Sequence, residues 1–250
     1  MIFKKKPIIE FSSISWTARK FYPVQLAKEC FPDYWKKMES KMASGGDTVR
    51  KCPGISDWMS LGYIIPAWTD IDIDQSGEYG PTAMLSNGRE SAAGHPPAQC
   101  KGMLDQKSHY GGSIKLPHTW NITTSPGWSI MIVPLWYWKD QPWEAMPGII
   151  HTDNHHGEVN INLILKSKEP QIHISAGTPL VQIIPFKREE VHAVTRASTN
   201  EDLNRHHIIL KAYEWAKNGV TKFYKIPLKY SIKHLDTELN ESLKFPIKTD

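Results

Sequence analysis

The sequence predicts a mainly β protein with a helical appendage at its N-terminal end and a helix plus an arm at its C-terminal end. Three observations predict it. Aromatic residues make up 10% of the 250 residues, and 18 Pro and 16 Gly are spread among them. Bulky aromatics between frequent turn formers suit short strands better than long helices. From Glu158 to Leu165 polar and apolar residues alternate, Ile164 excepted, which is the period of a strand with one buried face. From Trp128 to Trp136 the apolar run is nearly continuous, as in a strand covered on both sides.

In chain order, residues 1–50 read as the appendage. Gln25 to Phe31 is expected as one short helix, stopped before Pro32. Asp33 to Glu39 begins another, ended by Gly45 and Gly46. Residues 51–198 read as a β-rich core domain. Its first segment, Leu61 to Asp74, is expected as a strand. Asp70, Asp72 and Asp74 share its wet face, with Ile71 and Ile73 beneath. Alternating carboxylates can bind a cation, but a solvated strand face is the plainer reading here. Residues 75–113 are rich in Gly, Ser, Pro and Asn and read as a long loop holding one hairpin.

Strands follow at Ile114 to Leu116 and, after the turn Ser125-Pro126-Gly127, at Trp128 to Trp136. The Glu158–Leu165 strand points Val159, Ile161, Leu163 and Leu165 inward. Gly177-Thr178-Pro179 then turns the chain into Leu180 to Phe186. Residues 199–218 are expected as a helix, with Thr199 as N-cap, Asp202 in the first turn and Gly219 after the end. Lys222 to Asp250 reads as an arm with a short helix near Asp236 to Leu243.

Composition excludes several classes. Lys and Arg total 30 against 26 Asp and Glu, so the net charge is +4, and no strong nucleic-acid footprint is expected. No apolar run approaches the roughly 18 residues of a membrane span, so no membrane partner is expected. Met1 to Lys6 is basic, and the following Pro7-Ile8-Ile9-Glu10 is too short an apolar stretch for a secretory signal. Cys30, Cys52 and Cys100 fall in no zinc or redox spacing and read as free thiols in a reducing compartment.

Residues 126–188 carry a more specific pattern. Pro126-Gly127-Trp128 is followed by Pro147-Gly148-Ile149-Ile150-His151-Thr152-Asp153, then Gly157-Glu158-Val159, then Ala176-Gly177-Thr178-Pro179-Leu180-Val181-Gln182-Ile183-Ile184. This order resembles the β-clip fold of the dUTPase and dCTP deaminase superfamily. The resemblance implies a β-clip (dUTPase-like) body and a homo-oligomer, normally a trimer with sites between subunits. Lys51-Cys52-Pro53-Gly54, Gly62-Tyr63-Ile64-Ile65-Pro66 and the run from Gly177 to Arg188 also resemble an uncharacterised protein family of tailed phages of marine cyanobacteria. That second resemblance implies a viral origin, with the host cytoplasm or the virion as location and a phage or host protein as a partner.

Carried over position by position, the superfamily's reactive groups are replaced. A dUTPase's catalytic aspartate falls on His151, with Asp153 two residues on. The deaminase's catalytic glutamate falls on Asn162, which cannot shuttle a proton. The phosphate-binding Arg-Ser pair falls on Leu135-Trp136. The family's glycine-rich C-terminal arm has no counterpart. The resemblance therefore implies a diverged protein that uses no cofactor and does not hydrolyse dUTP. His151, Asp153, Asn162 and Trp136 would line a site for a small ligand or a protein partner, or the protein would serve in the virion.

His151-Thr152-Asp153 has a second reading. H-x-D is also the metal-binding start of Fe(II)/2-oxoglutarate oxygenases, in which two histidines and one carboxylate hold one face of the iron. His151, Asp153 and a distal His192 would be the ligands, and Arg196 or Arg188 would pair with the co-substrate carboxylate. His155 and His156 would instead join His151 in a zinc or nickel cluster, or simply form a polar turn. Asp57-Trp58, Trp136-Tyr137-Trp138 and Trp143 suit an aromatic platform, a protein interface or core packing. Lys187 to Glu190 reads as a solvated strand end.

Overall fold

The computed structural model describes residues 7–77, 80–86, 91–95, 97–100, 102–103, 112–117, 119–155 and 157–216. His156 and the expected arm, including the helix near Asp236, lie outside the described residues. Two compact units emerge. Of the described residues, those in 7–38 and 56–190 form the first, and those in 39–55 and 191–216 form the second.

The first unit is mainly β and antiparallel. Its larger sheet has seven strands. In spatial order they are β10 (Trp143–Ala145), β12 (Ile161–Leu165), β7 (Ser113–Leu116), β6 (Ser91–His95), β5 (Thr82–Leu85), β4 (Ile71–Asp74) and β13 (Gln171–Ile174). The smaller sheet has five: β11 (Gly148–Ile150), β9 (Trp128–Val133), β14 (Pro179–Lys187), β3 (Tyr63–Pro66) and β2 (Gln25–Leu26). A separate ribbon pairs β1 (Ile9–Ser12) with β8 (Asn121–Thr124). Ile71, Ile73, Ile114, Ile161 and Leu163 of the larger sheet share one core with Ile65, Ile130, Ile132, Val181 and Ile183 of the smaller. The two sheets thus form the layers of a sandwich, each contributing its apolar face.

The alternating residues behave as expected. Val159, Ile161, Leu163 and Leu165 are buried, and so are Ile71 and Ile73, while Asp72 is exposed. Some polar strand residues break the rule, Ser113 and Ser129 among them. Gln182, in the middle of β14, is buried. Its Nε2 donates to the carbonyls of Trp58 at 2.9 Å and Leu61 at 2.6 Å. Those carbonyls lie at the end of a helix (Pro53–Ser60), where backbone acceptors have no intrahelical donor. Gly62, just beyond, has φ of +73°, the left-handed conformation that ends many helices.

Several expectations are corrected. Gln25 to Phe31 is not a helix: Gln25 and Leu26 pair with Ile64 and Tyr63, and only Ala27–Glu29 makes a single 3-10 turn. The open edge of β3 supplies hydrogen-bond partners that an isolated short helix lacks. Ala27 then packs against Ile64 and Leu135, and its N–H donates to Gly62 O at 3.0 Å. The single strand expected from Leu61 to Asp74 divides into β3 and β4, one in each sheet. The corner between them is tied to the turn before β14. Ala67 N donates to Thr178 O at 2.8 Å, Gly177 N to Ala67 O at 2.8 Å, and Ala176 N to the Asp70 carboxylate at 2.7 Å.

The loop expected over 75–113 contains the β5–β6 hairpin and a 3-10 turn, Pro97–Cys100. Strands β1, β8, β10, β11 and β13 have no counterpart in the sequence reading. Nor has the short helix Trp16–Phe21, capped by the Ser15 hydroxyl, which accepts from Ala18 N at 3.2 Å. The expected helix after Pro32 forms over Asp33–Lys37.

In the second unit the helix Asn200–Ala216 follows Thr199. Thr199 N donates to the Asp202 carboxylate at 2.8 Å, and Asp202 N donates to Thr199 Oγ1 at 3.3 Å. This is a reciprocal N-terminal cap. Cys30, Cys52 and Cys100 are free thiols. No helix among the described residues is long and apolar enough to cross a membrane.

Candidate functional site

The residues between β11 and β12 fold into a turn because Asn154 N and His155 N both donate to His151 O, at 3.1 and 2.9 Å. Thr152 is wholly buried beneath it. The hydroxyls of Thr152 and Thr124 lie 2.7 Å apart, and Thr124 Oγ1 donates to Trp128 O at 3.0 Å. The Thr124 proton is committed to that carbonyl, so Thr152 is the donor between the two hydroxyls. The turn is thereby fastened to the start of β9.

Asp153 is clamped from two sides. Arg188, at the end of β14, donates Nη1 to Oδ1 at 2.8 Å and Nη2 to Oδ2, a bidentate ion pair. Gly127 N donates to Oδ2 at 2.9 Å. The Asp153 side chain is 6% exposed and that of Arg188 31%. Hydrogen bonds from Arg188, then the one from Gly127, hold the Asp153 carboxyl down at about 2, against an ordinary value of 3.8. The same contacts raise the pKa of Arg188.

Arg188 also reaches Trp128 O at 3.1 Å, Ser129 Oγ at 2.6 Å and His151 Nδ1 at 3.3 Å, all through Nη1. Its backbone N–H donates to Gly127 O at 2.8 Å. Ser129 Oγ lies 2.9 Å from His151 Nδ1. A guanidinium only donates, so Ser129 accepts from Arg188 and passes its own proton toward Nδ1. That leaves the imidazole proton on Nε2, and the ring is exposed.

This geometry limits the chemistry. Ser129 pairs with a histidine as a hydrolytic nucleophile would, but it is completely buried and no substrate carbonyl can reach it. Asp153 has both oxygens engaged, and a group held near 2 does not take up protons at neutral pH. His151 is the exposed part of the cluster. The arrangement fastens three chain segments, the Gly127 turn, the His151–His155 turn and the end of β14, and presents one imidazole on top.

The other expected site residues are dispersed. No hydrogen bond among the described residues links Asn162 to this cluster. Asn162 sits in β12 opposite Lys115, and its Oδ1 is buried without a partner. Trp136 is 70% exposed, whereas Trp143 is buried and Trp138 packs against Ala27, Ile64 and Leu135. These tryptophans do not make one platform. Asp57 and Trp58 lie in the helix that ends before Gly62.

His151 and Asp153 meet through Arg188, and His192 is exposed. Among the described residues no group of three or more His, Cys, Asp and Glu is placed to hold a metal ion. Arg196 is spent on Asp202, with contacts of 2.5 and 3.0 Å. The residue that sequence reasoning missed is Arg188. The sequence offers it as a co-substrate ligand or as part of a solvated strand end, and the structure makes it the partner of Asp153.

No protein-family model matches the chain, and no curated protein is similar to it.

Proposed function

We propose that the chain is a diverged, non-hydrolysing phage protein of the dUTPase-like β-clip type. It binds a small ligand or a protein partner, or serves in the virion. Support for the fold part of this reading comes from a mainly antiparallel β body in which β9, β11, β12 and β14 carry the resembling motifs. The observation that carries the functional part is the commitment of Asp153. The one carboxylate near the position of the superfamily's catalytic aspartate is locked between Arg188 and Gly127. His151 stands at the position itself and offers a hydrogen-bonding surface rather than a carboxylate.

The test is turnover. Purified full chain, incubated with magnesium and either dUTP or dCTP, is expected to release neither pyrophosphate nor ammonia above the enzyme-free blank. Release that disappears in His151→Ala would overturn the proposal, because it would make His151 a working base.

A further inference from the structure

The first unit carries an open cleft of about 630 Å³. That volume suits a small ligand. One wall comes from Gln25 to Lys36 and the other from Trp138 to Asp140, with Pro179 beside them. The aromatic lining is Phe31, Tyr34 and Trp138. Tyr34 is fixed, since its hydroxyl donates to Tyr137 O at 2.6 Å. Trp138 is fixed by its packing on Ala27, Ile64 and Leu135.

The charges in the cleft are unevenly used. Lys36 pairs with Asp33 at 3.2 Å. Lys139 has no carboxylate partner among the described residues, and its Nζ lies 5.2 Å from the centre of the Tyr34 ring. That is the distance at which a cation is held by an aromatic face. Glu29 and Asp140 line the same cleft, and among the described residues neither carboxylate is hydrogen-bonded or ion-paired. Asp140 has φ of +64°, a left-handed conformation that Asp tolerates better than most residues. The cleft therefore holds an aromatic face already occupied by an ammonium, with two uncommitted carboxylates on its rim.

We propose that this cleft binds a ligand bearing an alkylammonium or guanidinium group on an apolar stem. The cation takes the place of Lys139 over Tyr34, Glu29 and Asp140 oppose its charge, and the stem lies along Phe31 and Trp138. The proposal deepens the binding reading above and rests on it only for the role of the chain as a binding protein. An anionic ligand is disfavoured, because it would meet three carboxylates and only two cations, one of them already paired.

Calorimetric titration of the full chain with butylguanidinium, and with pentanoate as the anionic counterpart, tests this. Saturable binding of butylguanidinium is expected, with pentanoate weaker by about tenfold or more, the size of one good cation–aromatic contact. Asp140→Asn keeps the shape and removes the charge, and it should weaken butylguanidinium by a similar factor. Glu29→Gln serves the same purpose if Asp140→Asn fails to fold. Lys139→Met removes the internal competitor and should tighten binding. The proposal is overturned if pentanoate binds as well as butylguanidinium or neither binds. Weaker binding in Lys139→Met, or unchanged affinity in both carboxylate variants, overturns it equally. Turnover of dUTP by the same preparation would remove the non-hydrolysing reading and leave these affinities standing.

Discussion

Gly62→Ala is expected to destabilise the protein by about 3–5 kcal/mol, from backbone strain and steric overlap together. Gly62 has φ of +73°, and a Cβ built there would lie 2.1 Å from the carbonyl oxygen of Ile183 and 3.1 Å from its carbon. Both atoms belong to the backbone of β14, at the centre of the smaller sheet, so no flexible side chain can turn aside. Relief requires β3 and β14 to separate where Tyr63 pairs with Ile183. Gly127→Ala is the control. Its φ is +80°, yet nothing lies within 4 Å of the added carbon, so only the left-handed penalty of about 1 kcal/mol is expected. Urea denaturation of the two variants checks the contrast, and equal midpoints would refute it.

Arg188→Met is expected to lower the melting temperature by several degrees at pH 7 and to change how stability depends on acid. The substitution leaves the nearly buried Asp153 carboxylate with only Gly127 N, and it deprives Ser129 and Trp128 of a donor. A carboxylate left without its cation is costlier than no carboxylate at all. Adding Asp153→Asn to Arg188→Met should therefore recover part of the loss.

In the wild type the Asp153 pKa is about 2 when folded against an ordinary 3.8. Its contribution is complete above the higher value and is lost as pH falls through the lower one. Wild-type stability should fall across that window, and Asp153→Asn should show a smaller fall there. In Arg188→Met the window should move to higher pH. Melting curves collected between pH 2 and 7 decide the matter, and wild-type behaviour of Arg188→Met would show that the clamp holds nothing together.

What could be read from the chain was its local periodicity. Val159, Ile161 and Leu163 announce a buried face because Asn160 and Asn162 alternate with them, and Thr199 with Asp202 announces a helix start because the cap lies within one turn. The errors arose where a distant segment decided the outcome. Gln25 and Leu26 became a strand because β3, almost forty residues later, had an open edge. Short strands such as β11 and β10 have three residues each, too few for a period to register. The clamp was hidden for the same reason. Arg188 lies 35 residues from Asp153, and nothing in Lys187 to Glu190 marks one basic residue as the partner of a distant carboxylate.

The position of β14 between β3 and β9 also governs the order of assembly. As the nascent chain leaves the ribosome, β3 and β9 emerge early but cannot join each other, because β14, the strand that separates them, is made after both. The smaller layer must therefore wait for synthesis to pass residue 187 and then close over a long sequence separation, a slow kind of event. A translation-arrested chain halted before Pro179 should be cleaved by protease within β3 and β9, whereas one extended past Arg188 should resist.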